Sequence, residues 1–499
     1  MSKYLIGIDI GTQGTKAALY TSEMELICTS FEQSNLISPE PGTVWQEADD
    51  LYGSCARTIR ELLDKSSINR ESVVGIGIDG QMAGIMGIDG KGEASTYYDS
   101  WLDMRSRDFA DLMQKQSGDK MVASSGGQIT CNHASKILWW KHNHPDVYDK
   151  TAKFVLPHGY VVGKMTGKTA EEAVFDYTCL HFNSFSDNKN KKWNEDLLQE
   201  YGVASSKMPR VASPFEVVGG ITDEFASLSG LPSGVPVVVG AGDTAASTFG
   251  AGIFQKGMIQ DCAGTASVMC CVVDEYVPDV TAKTLNMMRS PVDGLWLPLA
   301  YINGGGLCLR WFRNNLTGIP NVTYNDMNIE AEKIPAGSEG LLFCPHFSGR
   351  VLPLDANMKG SYMGLDHKHT RAHMYRAVME GIAYEYYYYL SVLKDNYPNE
   401  NFENMIVIGG GSSSSLFNQI KADVLGIRVN TFETADTALI GSAVIAGSAV
   451  GLWDDYTKVI SRTMQKKDEY TPNPANKDVY QKACLDYQRM LKSISLFYN

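Results

Sequence analysis

The sequence lacks the marks of several protein classes. Its ten cysteines form no C-x-x-C pair and no disulfide-scaffold spacing, a pattern that fits free thiols in a reducing compartment. Apolar neighbours at Cys262, Cys270 and Cys271 suggest small core residues. No stretch reaches the roughly 18 uninterrupted apolar residues of a membrane span; the best candidate, around Val237, is broken by Asp243. The opening MSKYLIGIDIG has only a five-residue apolar run before Asp9, too short for a secretory-signal core. A cytoplasmic protein without a membrane partner is therefore expected. Basic patches are also absent. With 44 Lys and Arg against 57 Asp and Glu, the net charge of -13 repels nucleic acid, and Lys189, Lys191 and Lys192 read as a solvated loop. Neither G-x-x-x-x-G-K-[ST] anywhere nor G-x-G-x-x-G at the N-terminus occurs, which excludes a P-loop and a dinucleotide fingerprint.

What remains is a globular composition, 44% hydrophobic and 20% charged, on 499 residues, too many for one ordinary core. Lys3 to Tyr20 reads as strand, Gly/Thr turn and strand, a hairpin. Trp45 to Leu63 has helical periodicity, and VVGIGID at Val73 to Asp79 reads as a buried strand. The short strand IMGID and the loop YYDSWLDMR follow. From Val235, PVVVGAGDTAASTFGAGIF is a strand running into a Gly/Ala-rich turn. GMIQDCAGTASVMCCVV repeats the design of the opening hairpin, and MIVIGGGSSSSLFNQIKADVLG gives strand, triple glycine and helix. Strands alternating with helices predict an α/β architecture of two similarly built domains, 1–247 and 248–499.

The chemistry concentrates in these turns. Asp9 followed by Gly11-Thr12-Gln13-Gly14-Thr15 offers backbone amides, hydroxyls and one carboxylate, which suits phosphate with magnesium. A tight hairpin whose Asp accepts turn amides is the alternative. Gly264-Thr265-Ala266 and Gly409-Gly410-Gly411 repeat the device and favour the phosphate reading. Lys16 could reach a phosphate or remain a solvated charge. Asp243 could take a proton from an attacking hydroxyl or cap the helix that follows. His367, His369 and His373 have a metal-like spacing, but Thr370 caps an amphipathic helix there, and Tyr384 with Tyr386 to Tyr389 continues it as core. Gly304 to Gly306 could approach a nucleotide or form a loop.

Together these segments resemble the FGGY carbohydrate kinases, most of all their xylulokinase branch, nearly end to end. GIDIGTQGTKAALY is similar to the first phosphate hairpin, WQEADDLY and GIGIDGQMAGIMGIDGKG to the sugar-domain segments, and GAGDTAASTFGAG to the catalytic aspartate turn. GTAS, the glycines at Gly409 and GSYMGLDHKHTRAHMYRAVME continue the likeness in family order. The resemblance implies two actin-like, ribonuclease-H-like domains with a central cleft, sugar mainly on the first and ATP mainly on the second. It implies Asp243 as catalytic base and Asp9 as the residue organising Mg²⁺ through water. It further implies Gln81, Met82, Ala83, Trp101, Asp103 and Asp243 around a small sugar. Thr12, Gln13, Lys16, Gly264, Thr265, Gly305, Gly410, Gly411 and Ser412 would surround ATP. Ala83 stands where the branch has His, which removes a hydrogen-bonding group, and His133 and Trp140 also depart from the family signature.

The implied activity is transfer of the ATP γ-phosphate to a ketopentose-like sugar, with D-xylulose to D-xylulose 5-phosphate first. L-xylulose, ribulose, fuculose and erythritol-type substrates are alternatives. From another class, an actin-like ATPase or sensor would hydrolyse ATP without phosphorylating a metabolite. A homodimer is among the expected assemblies.

Overall fold

A computed structural model describes residues 2–433 and 436–499. The chain divides into two compact units. The first comprises Met1–Phe254, Met287–Trp296 and Asp436–Met464, and the second Gln255–Asn286, Leu297–Ala435 and Gln465–Asn499. This differs from a division at Thr248, because a helix near the C-terminal end, Thr437–Ala449, packs with the first unit.

The first unit is built on a seven-stranded sheet. Tyr4–Ile10 and Gly14–Thr21 form the expected antiparallel hairpin, with Asp9 opposite Lys16, and Leu26–Gln33 extends it. On its other side Tyr4–Ile10 pairs in parallel with Val73–Gly80, which sets Asp9 beside Asp79. Pro236–Val238 continues that direction, and the short Ala241–Gly242 strand also lies on Val73–Gly80. Leu51, Cys55, Ile59, Leu62 and Leu63, one face of the helix Ala48–Ser66, are buried on the sheet. Each such aliphatic side chain contributes roughly 1.5–3 kcal/mol.

The helix Thr437–Ala449 carries small and apolar residues on every face, with Thr437, Ser442 and Ser448 its polar residues, as suits a helix buried on nearly every side. Two sheet glycines admit it. A Cβ on Gly7 would stand 2.3 Å from the Leu439 carbonyl oxygen, and one on Gly77 would stand 1.8 Å from that of Ser442. The same helix packs on Asp243–Gly250, the helix that begins with Asp243.

The second unit repeats the strand order. Met258–Ala263 and Ser267–Cys271 form a hairpin, and Trp296–Ile302 extends it antiparallel. Asn404–Ile408 and Arg428–Phe432 follow in parallel on the other side, with Lys466–Tyr470 at the edge. In both units the first strand is central, flanked by its hairpin partner and by a parallel strand reached through helices. The second hairpin differs in one respect. Its aspartate, Asp261, is buried and held by Lys421 Nζ and the Tyr386 hydroxyl, each at 2.6 Å. Tyr384, Tyr386 and Tyr389 lie in the core on the helix Arg371–Asn396, whose start is boxed by Thr370 and His373. All ten cysteines are free thiols, eight of them buried. Among the described residues no helix is long and apolar enough to cross a membrane.

Candidate active site

The hairpin turn of the first unit holds a group of carboxyls. Asp9, next to last in its strand, is half-buried. Burial first, and then the charge of Asp243, push its carboxyl up to about 7; Lys16 pulls the other way. Asp79, wholly buried on the adjacent strand, accepts from Ser442 Oγ at 2.5 Å. Burial and the charge of Asp9 hold Asp79 well above the usual carboxylate range. Lys16 Nζ lies 3.2 Å from Asp436 Oδ2, a half-exposed ion pair worth about 0–1 kcal/mol.

Asp243 is the first residue of its helix, and Gly242 occupies the capping position. Its Oδ1 accepts from the Thr244 N–H at 2.5 Å and the Thr244 hydroxyl at 3.1 Å. Oδ2 has no hydrogen-bond partner among the described residues, which leaves a lone pair for an incoming hydroxyl. Burial raises the Asp243 carboxyl, and the Thr244 donors oppose it. The positions before the helix are fixed by sterics: Gly240 adopts φ +80°, and a Cβ there would meet the Ile78 carbonyl oxygen at 2.0 Å.

Three predicted residues join in one network in this unit. Trp101 Nε1 donates to Thr12 Oγ1 at 2.8 Å, Thr12 Oγ1 donates to Gln81 Oε1 at 3.2 Å, and Gln81 Nε2 donates to Gln46 at 2.9 Å. Thr12, expected near ATP, is thus tied to Trp101 and Gln81, expected near sugar. Met82 is buried, and its carbonyl takes a 2.6 Å hydrogen bond from His133 Nε2. Ala83 is half-buried and Gln13 exposed. Asp103 is buried, and its carboxylate accepts from the Val44 N–H and from the Arg105 backbone and side chain. Its oxygens are therefore already engaged, and Arg105 is the group it orients.

The second unit carries a cavity of about 510 Å³, within the size range of ligand sites. Gly264, Thr265, Gly410 and Gly411, four of the residues that the resemblance implies around ATP, line it together. Gly305 opens the helix Gly305–Asn315 beneath the hairpin turn, where a Cβ would stand 2.0 Å from Ser267 Oγ. The next two amides, Gly306 and Leu307, donate to the Gly264 and Thr265 carbonyls at 3.0 Å each. Ser412 lines a neighbouring cavity, and its hydroxyl donates to the Gly409 carbonyl at 2.7 Å.

Comparison with known proteins decides the family. The N-terminal domain of the FGGY family of carbohydrate kinases matches residues 4–250, and its C-terminal domain matches 262–450. The chain belongs to the FGGY carbohydrate kinases. Among its FGGY relatives, a xylulose kinase of Bacillus subtilis is 26% identical over 482 residues, 96% of this chain and 94% of the relative. A gluconokinase of Bacillus licheniformis is 24% identical over 493 residues, 97% of this chain and 94% of that protein. The solved structure of a ligand-bound xylulose kinase from Lactobacillus acidophilus superposes with a TM-score of 0.92 at 24% identity, covering 99% of each chain. The fold is the two-domain α/β fold of FGGY kinases, and the chain is a sugar kinase.

Several groups in the FGGY site regions escaped the sequence reading. Asp79 lay inside a strand that read only as buried. Arg105 donates to Asp99, Asp103 and the Tyr97 hydroxyl, with its guanidinium 4.3 Å from the Trp139 ring. In the second unit Arg310, Tyr324, Asn328, Tyr375 and Phe417 complete the cavity wall. Of these, only the W-x-D-x-R spacing around Arg105 left a signal.

Proposed function

We propose that this FGGY kinase moves the γ-phosphate of ATP onto a hydroxyl of a ketopentose-like sugar, D-xylulose foremost, with Asp243 as general base. The observation that carries the reading is the Asp243 carboxylate, anchored on one oxygen by Thr244 and unpartnered on the other. Oδ2 takes the proton of the acceptor hydroxyl as its oxygen attacks the γ-phosphorus, and ADP departs. Trp101, Thr12 and Gln81 orient one another and so present a fixed polar edge to the sugar. Gly264, Thr265, Gly410 and Gly411 offer bare backbone and a hydroxyl to the nucleotide.

Magnesium fits the donor set. A hard divalent cation takes oxygen ligands, and the Asp9 carboxyl feels the negative charges of Asp243 and Asp436, which a cation would relieve. Asp9 would hold it, through water, and bound Mg²⁺ would supply charge neutralisation to the phosphates.

Relatives named xylulose kinase support a ketopentose, and the gluconokinase relative raises a second reading. Gluconate carries a carboxylate and needs a free cation. Arg105, the cation nearest in sequence to Trp101, is ion-paired with Asp99 and Asp103, and the buried Lys136 Nζ donates to the Asp103 carbonyl at 2.8 Å. That occupancy favours a neutral polyol. Purified protein with ATP and Mg²⁺ is screened for ADP release against D-xylulose, L-xylulose, ribulose, fuculose, erythritol and gluconate. Preference for a ketopentose supports the reading. Preference for gluconate overturns the substrate, and sugar-independent hydrolysis overturns the transfer.

A further inference from the structure

A chain of buried groups ends on the peptide N–H just before Asp243. His158, on the helix Pro157–Thr166, donates from Nε2 to Asp176 Oδ2 at 2.9 Å, and both side chains are buried. The other oxygen of Asp176 accepts from the Thr178 N–H at 2.8 Å and from the Thr178 hydroxyl. With its hydrogen directed to Asp176, that hydroxyl turns a lone pair outward and accepts from the Gly242 N–H at 3.0 Å.

Gly242 is tightly constrained from other directions too. It pairs with Gly80 in the sheet, and a Cβ on it would stand 2.4 Å from the end of Met82. Thr178 thus supplies the one side-chain partner of a peptide otherwise held by strand pairing and contact. A carboxylate buried as deeply as Asp176 is costly unless hydrogen-bonded, and here both of its oxygens accept, in a network that leaves His158 Nδ1 without a partner among the described residues; buried hydrogen-bonded groups of this kind rigidify what they touch. None of the three residues belongs to the sugar or nucleotide sets. Their common product is the placement of the Ala241–Gly242 peptide, one link before Asp243.

We propose that His158, Asp176 and Thr178 are positioning residues of the phosphoryl transfer, fixing the backbone from which Asp243 meets the acceptor hydroxyl. The proposal rests on the reading of Asp243 as base. A general base works only within hydrogen-bond reach of its proton, and a misplacement of about 1 Å can cost roughly 100-fold in rate.

Thr178→Val keeps the shape and removes the hydroxyl. The expected result is a kcat lowered about 10- to 100-fold, with KM for sugar and ATP near those of the wild type and a melting temperature lowered by a few degrees, because the Gly242 N–H and Asp176 each lose a buried partner. Thr178→Ser restores kcat. His158→Gln, which retains an N–H donor for Asp176, keeps more activity than His158→Leu. Hydrogen–deuterium exchange over 236–250 gives a readout independent of turnover: Thr178→Val speeds exchange at Gly242 and leaves other segments unchanged. Wild-type kcat in Thr178→Val, or equal loss in Thr178→Ser, overturns the proposal, as does unchanged exchange at Gly242. Wild-type protein that releases no ADP with any sugar overturns instead the function on which it rests, while exchange still reports whether the chain of groups holds the peptide.

Discussion

Asp9 should make the metal-free protein lose stability as pH rises, and Mg²⁺ should reverse that loss. In the fold the carboxyl is pushed from 3.8 up to about 7 by burial and by its acidic neighbours. Unfolded, it loses its proton near the ordinary value. Between the two values the folded state holds one proton more than the unfolded state, so unfolding free energy falls with rising pH, by about 1.4 kcal/mol per pH unit at most. Over the window from 3.8 to about 7 the sum reaches at most about 4 kcal/mol, and the loss is complete above the folded value. The other groups facing Asp9 are Asp79, Asp243, Asp436 and Lys16, so the comparison must be with a variant that leaves them in place. Asp9→Asn does so. Denaturant melts from pH 5 to pH 8 in EDTA should show wild type losing ground against Asp9→Asn as pH rises. At pH 8, Mg²⁺ should stabilise wild type and leave Asp9→Asn nearly unchanged. Parallel pH profiles for the two proteins, or equal Mg²⁺ stabilisation of both, would refute the assignment of Asp9 as the raised carboxyl and metal-organising group.

Other expectations follow from the packing. Lys421→Met leaves Asp261 buried without its cation and should destabilise by about 3–5 kcal/mol in urea melts; a loss under 1 kcal/mol would contradict the role of that pair. Gly77→Ala drives a Cβ to 1.8 Å from the Ser442 carbonyl oxygen, and overpacking of this kind costs about 1–3 kcal/mol or more, read as a lowered melting temperature. Gly410 is the contrasting case, because a Cβ there meets nothing within 4 Å. Gly410→Val should fold normally yet raise KM for ATP by about tenfold or more, equivalent to 1.4 kcal/mol. An unchanged KM would remove Gly410 from the nucleotide site.

The repeated hairpins, the Asp-turn-helix at Asp243 and the capped helix after Thr370 were legible because each is local, set by alternation, small residues and caps. The helix Thr437–Ala449 shows why other features were not. Its sequence has apolar residues on all faces, which announces burial without saying in which unit, and it is glycines such as Gly7, Gly77 and Gly250 that record where it docks. Asp103 illustrates the limit at the site. The family resemblance implies the Asp103 carboxylate beside a sugar, yet the chain folds so that Val44 and Arg105 occupy its oxygens. Asp79 sits in a strand that reads as plain core, and its meaning depends on Asp9 and Ser442, 70 residues before it and 363 after it in sequence. Arg310 and Tyr375 reach the second cavity from separate helices, a convergence no spacing encodes.

The central claim is that Asp243 removes the proton from a sugar hydroxyl. Its most direct test is sugar-dependent ADP release by Asp243→Asn beside wild type, with ATP binding measured separately by calorimetry. The expected result is a kcat lowered by about 10²- to 10⁴-fold with ATP affinity retained. Near-normal kcat in Asp243→Asn would contradict it.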